Sequence, residues 1–347
     1  MAIRWGILGC GDVTEVKSGP GFQQAEGSLL VAVMRRNGEM AADFARRHNV
    51  PRWYDDADAL ISDAEVDAVY IGTPPGSHLE YALKVSAAGK PCYVEKPMAR
   101  NYTECAQMIT AFAAANLPLF VAYYRRGLAR FLKAKDLVES RRVGQVTGVH
   151  YRFASPSHAR TDPNALPWRF KADEAGGGLF LDLGCHTLDI LDFILGPLVD
   201  VTGEAANLAA PYAVEDSVSL RFRTTSGAFG VATWNFVSAV REDSIEISGT
   251  EGRVMLSTFG NEPVRLDTSE GQEMFDLPNP RHIQQPLIQT IVDELNGRGV
   301  CASTGLSAAR TSRVIDIALS DYYGGREDAF WLRPTTWPGT RGQAPIS

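Results

Sequence analysis

The chain has 347 residues, of which 45% are apolar and 22% charged, and its formal net charge is −7. That length exceeds one ordinary core and suits two domains. No apolar run approaches the roughly 20 residues of a membrane-spanning helix, and the isolated basic pairs Arg35-Arg36, Arg46-Arg47, Arg125-Arg126 and Arg141-Arg142 make no footprint for nucleic acid.

Ile3–Leu8 reads as a first strand, Leu29–Met34 as a second, and Glu39–His48 as a helix. Ala68–Ile71 is a third strand, closed by Thr73-Pro74-Pro75-Gly76. Leu79–Ala88 is a helix that stops at Gly89, Pro91–Val94 a fourth strand, Tyr102–Ala115 a helix and Leu119–Ala122 a fifth strand. This alternation predicts a parallel sheet with helices on both faces. After Ala122 the texture changes. A helix at Leu128–Ser140 precedes runs of period-2 character at Val146–Phe153, Val199–Leu208, Ser217–Thr224, Ala228–Ser238, Ser244–Ser248 and Arg253–Ser257. Turn signals such as Thr225-Ser226-Gly227 join them, which means antiparallel pairing. Helices are predicted at Leu179–Leu195, Ile283–Asn296 and Ser307–Tyr322, and the Pro/Gly/Thr-rich tail from Pro334 reads as extended or loose.

Five cysteines, Cys10, Cys92, Cys105, Cys185 and Cys301, form no C-x-x-C pair. That argues against a disulfide framework and a structural zinc site, and for a reducing cytoplasm. The opening MAIRWGILGCG passes at once into a strand pattern, which argues against a secretory leader.

Gly6-Ile7-Leu8-Gly9-Cys10-Gly11-Asp12-Val13-Thr14 follows the first strand and enters a helix, the context a dinucleotide fingerprint needs. Gly9 permits the tight turn, and Gly11 lets the backbone approach a pyrophosphate. Asp12 and Val13 open the helix whose N–H groups would face it. Thr14 stands where Gly or Ala is usual, so strand and helix are expected slightly farther apart, and Ser18-Gly19-Pro20-Gly21 is expected to cut the helix short. The second strand ends Val33-Met34-Arg35-Arg36-Asn37. An NAD site puts Asp or Glu near here for the ribose 2′-OH. Two guanidinium groups take its place and suit a 2′-phosphate. The expected cofactor is NADP(H), with NAD(H) the alternative; the bland reading of Arg35 and Arg36 is two solvated arginines at a strand end.

The motifs then converge. Gly9-x-Gly11, Thr73-Pro74-Pro75-Gly76-Ser77-His78, Ala88-Gly89-Lys90 running into Glu95-Lys96-Pro97, and Gly176-Gly177-Gly178-x-x-x-Asp182-x-Gly184-x-His186-x-x-Asp189 follow in an order that strongly resembles the Gfo/Idh/MocA oxidoreductases. The resemblance covers nearly the whole chain. It implies an α/β fold: an N-terminal Rossmann domain, set at residues 1–122, and an α+β substrate-binding and oligomerisation domain with a large open-faced, mostly antiparallel sheet, set at residues 123–347. It further implies an active site between the domains, a homodimer or homotetramer formed through the sheet, and a cis peptide between Lys96 and Pro97.

Pro91–Val94 delivers Glu95 and Lys96 to the carboxyl edge of the parallel sheet, where ligands sit. Pro97 biases Lys96 away from helix. An ammonium there would bond a substrate hydroxyl and stabilise developing alkoxide charge; the alternative is a surface lysine. Glu95 would pair with Lys96, hold nearby backbone or touch the cofactor. Asp182 and His186, four apart on a predicted helix, share a face amid Leu183, Leu188, Ile190, Leu191 and Ile194. A histidine passes a proton near neutral pH, and the resemblance maps the family's catalytic Asp and His onto this pair. A helix-stabilising pair and a metal site are the alternatives, the latter without a third ligand at telling spacing. The loop Thr73, Pro74, Pro75 and His78 resembles the family's cofactor-lining segment, and a mere capping loop is the alternative for His78. Tyr123 and Arg125 leave the last Rossmann strand near the site as substrate candidates. Trp168 and Arg169 precede the glycines where family members carry a Trp-Arg pair, and join the cofactor set. Tyr151 and His158 are further polar candidates without supporting spacing.

The expected function is therefore an NADP-dependent dehydrogenase or reductase acting on CH–OH groups of a sugar, polyol or inositol-like substrate. Alternatives are a dehydrogenase of a non-sugar diol, and a non-catalytic NADP-binding sensor, from which the joint presence of Lys96, Asp182 and His186 argues away.

Overall fold

A computed structural model describes residues 2–156, 162 and 165–340; His158 lies outside them. In chain order the elements are β1 (Ile3–Leu8), α1 (Gly19–Gln24), β2 (Ser28–Met34), α2 (Gly38–Arg47), β3 (Arg52–Tyr54), α3 (Ala57–Ser62), β4 (Ala68–Ile71), α4 (His78–Ala87), β5 (Cys92–Val94), α5 (Tyr102–Ala114) and β6 (Leu119–Val121). There follow α6 (Ala129–Glu139), β7 (Val146–Pro156), α7 (Ala172–Ala175), α8 (Cys185–Leu195), β8 (Leu198–Ala206), β9 (Ser217–Thr224), β10 (Phe229–Ser238), β11 (Glu242–Gly249), β12 (Gly252–Leu256), β13 (Val264–Thr268), β14 (Gly271–Phe275), α9 (Gln285–Leu295) and α10 (Gly305–Tyr323). They sort into two units. One comprises Met1–Ala99, Glu104–Leu128 and Pro280–Ala309; the other Arg100–Thr103, Ala129–Asn279 and Arg310–Ser347.

In the first unit the strands pair in parallel in the order β3-β2-β1-β4-β5-β6. The central strands are buried on both sides, and Ile7, Val69, Tyr70, Tyr93 and Val94 are wholly shielded from solvent. Because β2 and β4 flank β1, the connections leave in opposite directions there, and a crevice opens beyond the carboxyl ends of β1 and β4. A single cut at residue 122 does not describe this unit. Pro280–Ala309 returns to it, since Gln284 donates through Nε2 to Glu95 Oε1 at 2.7 Å and accepts from Tyr93 Oη at 3.2 Å. Buried Leu287 and Ile288 complete the packing, where Gly127 and Gly21 leave no room for a Cβ.

The helix after the fingerprint is not cut short at Ser18-Gly19-Pro20-Gly21. A π turn over Thr14–Ser18 runs directly into α1, and Pro20, which has no N–H to donate, sits just after that turn. The Gly19 N–H donates to Thr14 O, and that carbonyl lies where a Cβ on residue 19 would be.

The second unit carries an eight-stranded sheet, β14-β13-β12-β11-β7-β10-β9-β8, antiparallel except for the β7–β10 pair. Tyr151, Phe153, Trp234, Phe236, Leu220 and Phe222 alternate onto its buried face. The tail from Pro334 forms short 3₁₀ turns as far as Thr340 instead of running loose. Its anchor is buried Trp337, whose Nε1–H donates to Phe330 O at 3.0 Å and whose ring meets Tyr323 edge-on at 4.6 Å.

Candidate active site

The cofactor fingerprint is built at the end of β1. Gly9 has φ +89°, a conformation that favours glycine, and the Gly9 and Cys10 N–H groups both donate to Met34 O, at 2.9 and 3.1 Å. A Cβ on Gly11 would meet nothing within 4 Å, so its backbone is open to a ligand. Thr14 is fully buried and donates through Oγ1 to Gly11 O at 2.6 Å. Its methyl lies 3.3 Å from where a Cβ of Gly72 would be, so glycine just past the end of β4 makes room for threonine at the fingerprint's third position. Asp12 is exposed and Val13 half-exposed at the start of this helix.

A cleft of 390 Å³ opens here, lined by Gly9, Gly11, Arg35, Arg36, Thr73 and Pro74, with Met34, Asn37, Met40, Gly72 and Tyr81 completing it. That volume lies in the range of small-molecule sites. No carboxylate is among the lining residues. The Arg35 guanidinium reaches Cys10 O at 3.5 Å, Arg36 is exposed, and Asn37 caps α2 by accepting from the Met40 N–H at 3.1 Å. The glycine backbone, the helix start and two guanidinium groups together fit a dinucleotide with negative charge on its phosphates. Sequence reasoning passed over Met40 and Tyr81, which carry no motif; the helices α2 and α4 bring them to the cleft.

At the end of β5, Glu95 is buried, accepting at Oε1 from Tyr70 Oη (2.6 Å) and Gln284 Nε2 (2.7 Å), and at Oε2 from the Lys96 N–H (3.0 Å). Of the roles open to it, holding nearby backbone is the one this geometry supports. Tyr70, paired with Tyr93 across β4–β5, has its phenol pKa driven far up by burial first and by Glu95 second, so it stays a donor. Lys96 is half-exposed, and its bond to Pro97 is cis. His78 is wholly buried: Nε2 lies 2.7 Å from Thr73 O and Nδ1 lies 3.2 Å from both Pro97 O and Met98 O. Burial pushes its imidazole towards the neutral form. His78 therefore ties the Thr73 loop to the Pro97 loop instead of facing a ligand, and Pro75 is likewise buried. Tyr123 and Arg125 are buried too, with the Arg125 guanidinium 4.9 Å from the Tyr124 ring centroid.

In the second unit the triple glycine precedes a π turn, Phe180–Gly184, that leads into α8. The Gly178 N–H donates to both carboxylate oxygens of buried Glu215, at 2.9 and 3.1 Å, and Tyr323 Oη donates to the same carboxylate. Asp182 lies inside the π turn and His186 just beyond it, so a wider turn than the uniform helix separates them. Asp182 Oδ2 accepts from Arg169 Nε at 3.1 Å, while the Arg169 guanidinium lies 4.5 Å from the Trp168 ring centroid. Trp168, Arg169 and Asp182 thus form one constellation. His186 is buried on α8, its ring edge-on to Phe259 at 6.0 Å. Among the described residues no group of three or more His, Cys, Asp or Glu side chains is placed to hold a metal ion.

Gly184 is dictated by the π turn, because a Cβ there would run into the buried Phe180 ring. Gly184→Ala is expected to cost about 1–3 kcal/mol by overpacking and to lower kcat more than it raises KM. Denaturant unfolding with steady-state kinetics checks both; unchanged stability and turnover would show that the π turn tolerates a methyl group.

Known proteins fit this geometry. Residues 3–123 match the family model described as "Oxidoreductase family, NAD-binding Rossmann fold", and residues 131–255 match "GFO/IDH/MocA C-terminal domain". The chain is 35% identical over 319 residues to "Oxidoreductase P35" of Formosa agariphila, covering 91% of this chain and 98% of that one. It is 27% identical over 311 residues to "1,5-anhydro-D-fructose reductase" of Ensifer adhaerens, covering 87% and 91%. A solved levoglucosan dehydrogenase in complex with NADH shares the fold with a TM-score of 0.82 at 21% identity, covering 92% of this chain and 96% of that one. With the fingerprint and its cleft at the head of one sheet and the Asp/His helix packed on the other, the chain belongs to the Gfo/Idh/MocA family of oxidoreductases.

Proposed function

We propose that the protein is an NADP-dependent dehydrogenase or reductase acting on a secondary alcohol, or the matching carbonyl, of a sugar or polyol. The observation that carries the cofactor choice is the pair Arg35 and Arg36 lining a glycine-walled cleft that lacks a carboxylate. Relatives named for anhydrofructose and levoglucosan support a sugar-like substrate.

Gly9, Gly11, Thr73 and Pro74 would hold the dinucleotide, with Asp12 and Val13 at the helix start and Arg35 and Arg36 on the ribose phosphate. When bound, the nicotinamide supplies the acceptor or donor of hydride. In the oxidation direction the His186 imidazole takes the hydroxyl proton. Lys96 Nζ donates to the same oxygen and stabilises its developing negative charge. Asp182, held by Arg169, orients His186 or accepts from a neighbouring substrate hydroxyl. Glu95 acts one step back, fixing the backbone from which Lys96 extends. The cofactor contacts of Trp168 and Arg169 and the substrate contacts of Tyr123 and Arg125 belong to this reading.

Initial rates with NADP⁺ and NAD⁺ over a panel of sugars, inositols and dihydrodiols test it. Arg36→Ala is expected to lower kcat/KM for NADP⁺ about 10- to 100-fold, the value of a charge-assisted hydrogen bond, and to leave NAD⁺ unaffected. A wild-type preference for NAD⁺ would refute the cofactor choice. We also propose a cytoplasmic homodimer or homotetramer. The described cysteines are buried and form no disulfide, which suits a reducing compartment, and the outer face of the eight-stranded sheet leaves Phe229 63% and Val231 43% exposed. Light scattering that returns the mass of one chain would overturn the assembly.

A further inference from the structure

The loop from Ser257 to Glu262, between β12 and β13, starts on buried Ser257 and Thr258, ends on exposed Asn261 and Glu262, and is pinned from several sides. The Asp243 carboxylate on β11 accepts three hydrogen bonds: from the Thr258 N–H at 3.1 Å and Tyr151 Oη at 3.2 Å on Oδ1, and from the Phe259 N–H at 2.6 Å on Oδ2. Arg130, itself buried on α6, donates to Ser257 Oγ and Glu262 O, each at 3.1 Å, and to Gly260 O. Ser257 Oγ donates in turn to Glu262 Oε2 at 2.8 Å.

Two residues of the loop touch α8 at one place. The Phe259 ring stands edge-on to His186, their planes at 81°, and Thr258 Oγ1 is 3.1 Å from Oγ1 of Thr187, the residue after His186. Thr187 is wholly buried and Thr258 nearly so. The helix fixes the His186 backbone but leaves its ring torsion broad. Contacts from outside the helix must therefore set the plane of the imidazole.

We propose that Asp243 is a positioning residue for His186, acting through the backbone of Thr258 and Phe259 to hold the imidazole in its proton-transfer orientation. This rests on the reading of His186 as the proton carrier. A carboxylate is the group required, because both its oxygens accept. An amide of the same shape offers one acceptor oxygen and turns an NH₂ towards an N–H or O–H donor. The loop then shifts, and the imidazole with it, by a fraction of an ångström. Misplacement on that scale slows the chemical step far more than it weakens binding.

The test is a double-mutant cycle on the full-length protein with its best substrate. Asp243→Asn is expected to lower kcat about 10- to 100-fold, with substrate KM and NADPH affinity unchanged. Phe259→Leu, which keeps the hydrogen bonds to Asp243, is expected to lower kcat by a smaller factor in the same pattern, and it serves if Asp243→Asn does not fold. In a His186→Ala background, Asp243→Asn is expected to have no further effect on the residual rate. Full effect there, or wild-type kcat in both single variants, would overturn the proposal. Wild-type kcat in His186→Ala alone would instead overturn the underlying role of His186, so the two failures are distinguishable.

Discussion

Lys96→Ala is expected to lower kcat by about 10²–10³-fold, the usual cost of removing one donor to a developing oxyanion, while binding of the reduced nicotinamide cofactor, followed by fluorescence, stays at its wild-type value. The expectation follows from how the residue is presented. The Glu95 carboxylate anchors the Lys96 N–H, and Tyr70 and Gln284 anchor Glu95 in turn. The buried Pro97-Met98 segment, with His78 against its carbonyls, fixes the other side of the lysine. So much buried structure holds this backbone position that the Lys96 side chain extends from a fixed base. Lys96→Arg keeps the charge but replaces a compact ammonium with a planar fork, and is expected to recover only part of the rate. A Lys96→Ala enzyme with near-wild-type turnover would remove the lysine from the chemistry.

Arg326→Met is expected to destabilise the protein by about 3–5 kcal/mol, the cost of breaking a buried ion pair from one side. The Arg326 guanidinium is 1% exposed and donates to Asp316 Oδ1 (2.8 Å), Gly176 O (2.9 Å) and Arg100 O (2.8 Å), with its flat face 4.3 Å from the Phe330 ring centroid. Methionine fills much of the volume and satisfies none of these acceptors. Burial already pushes the carboxyls of Asp316 and Glu215 upward, and Arg326 opposes both shifts. Without it their folded-state pKa values rise further above the unfolded ones. A carboxyl so shifted weakens the fold as pH rises from its unfolded value to its folded one. The deficit of Arg326→Met is therefore expected to shrink on acidification through that window. Denaturant unfolding across the range measures it; a loss under about 1 kcal/mol, that of one ordinary hydrogen bond, would show that Arg326 is not essential. The same variant loosens the carbonyl of Gly176 at the head of the glycine loop, so turnover should fall with stability.

Parts of the molecule that depend on local chemistry were legible in the chain. Strands β1, β4 and β9 begin and end where the apolar pattern does, because buried strands in both sheets need those side chains. The short edge strand β3 and the solvent-facing β14 were not legible, since neither needs an apolar face: Gly271, Gln272, Glu273 and Met274 are all exposed. The two π turns escaped for another reason. Each depends on a carbonyl or ring meeting a glycine, Thr14 O at Gly19 and Phe180 at Gly184, and glycine in a helix pattern reads as a break. Trp337 escaped because its burial is created by Tyr323 and Phe330.

By itself the sequence determined most of the buried strands and long helices and the glycine fingerprint with its missing acid, and it singled out Lys96, Asp182 and His186 as candidates, because propensity, turn chemistry and motif spacing act over a few residues. The tertiary structure decided what supports them. Gln284 reaches Glu95 across 189 residues of chain, Asp243 reaches Phe259 across 16, and Arg326 reaches Gly176 across 150. A buried polar group costs free energy until it finds its partner, and no local rule says which distant residue that partner will be. Glu95, a carboxylate at the end of a buried strand, is explained by Tyr70 and Gln284, residues that only folding brings to it.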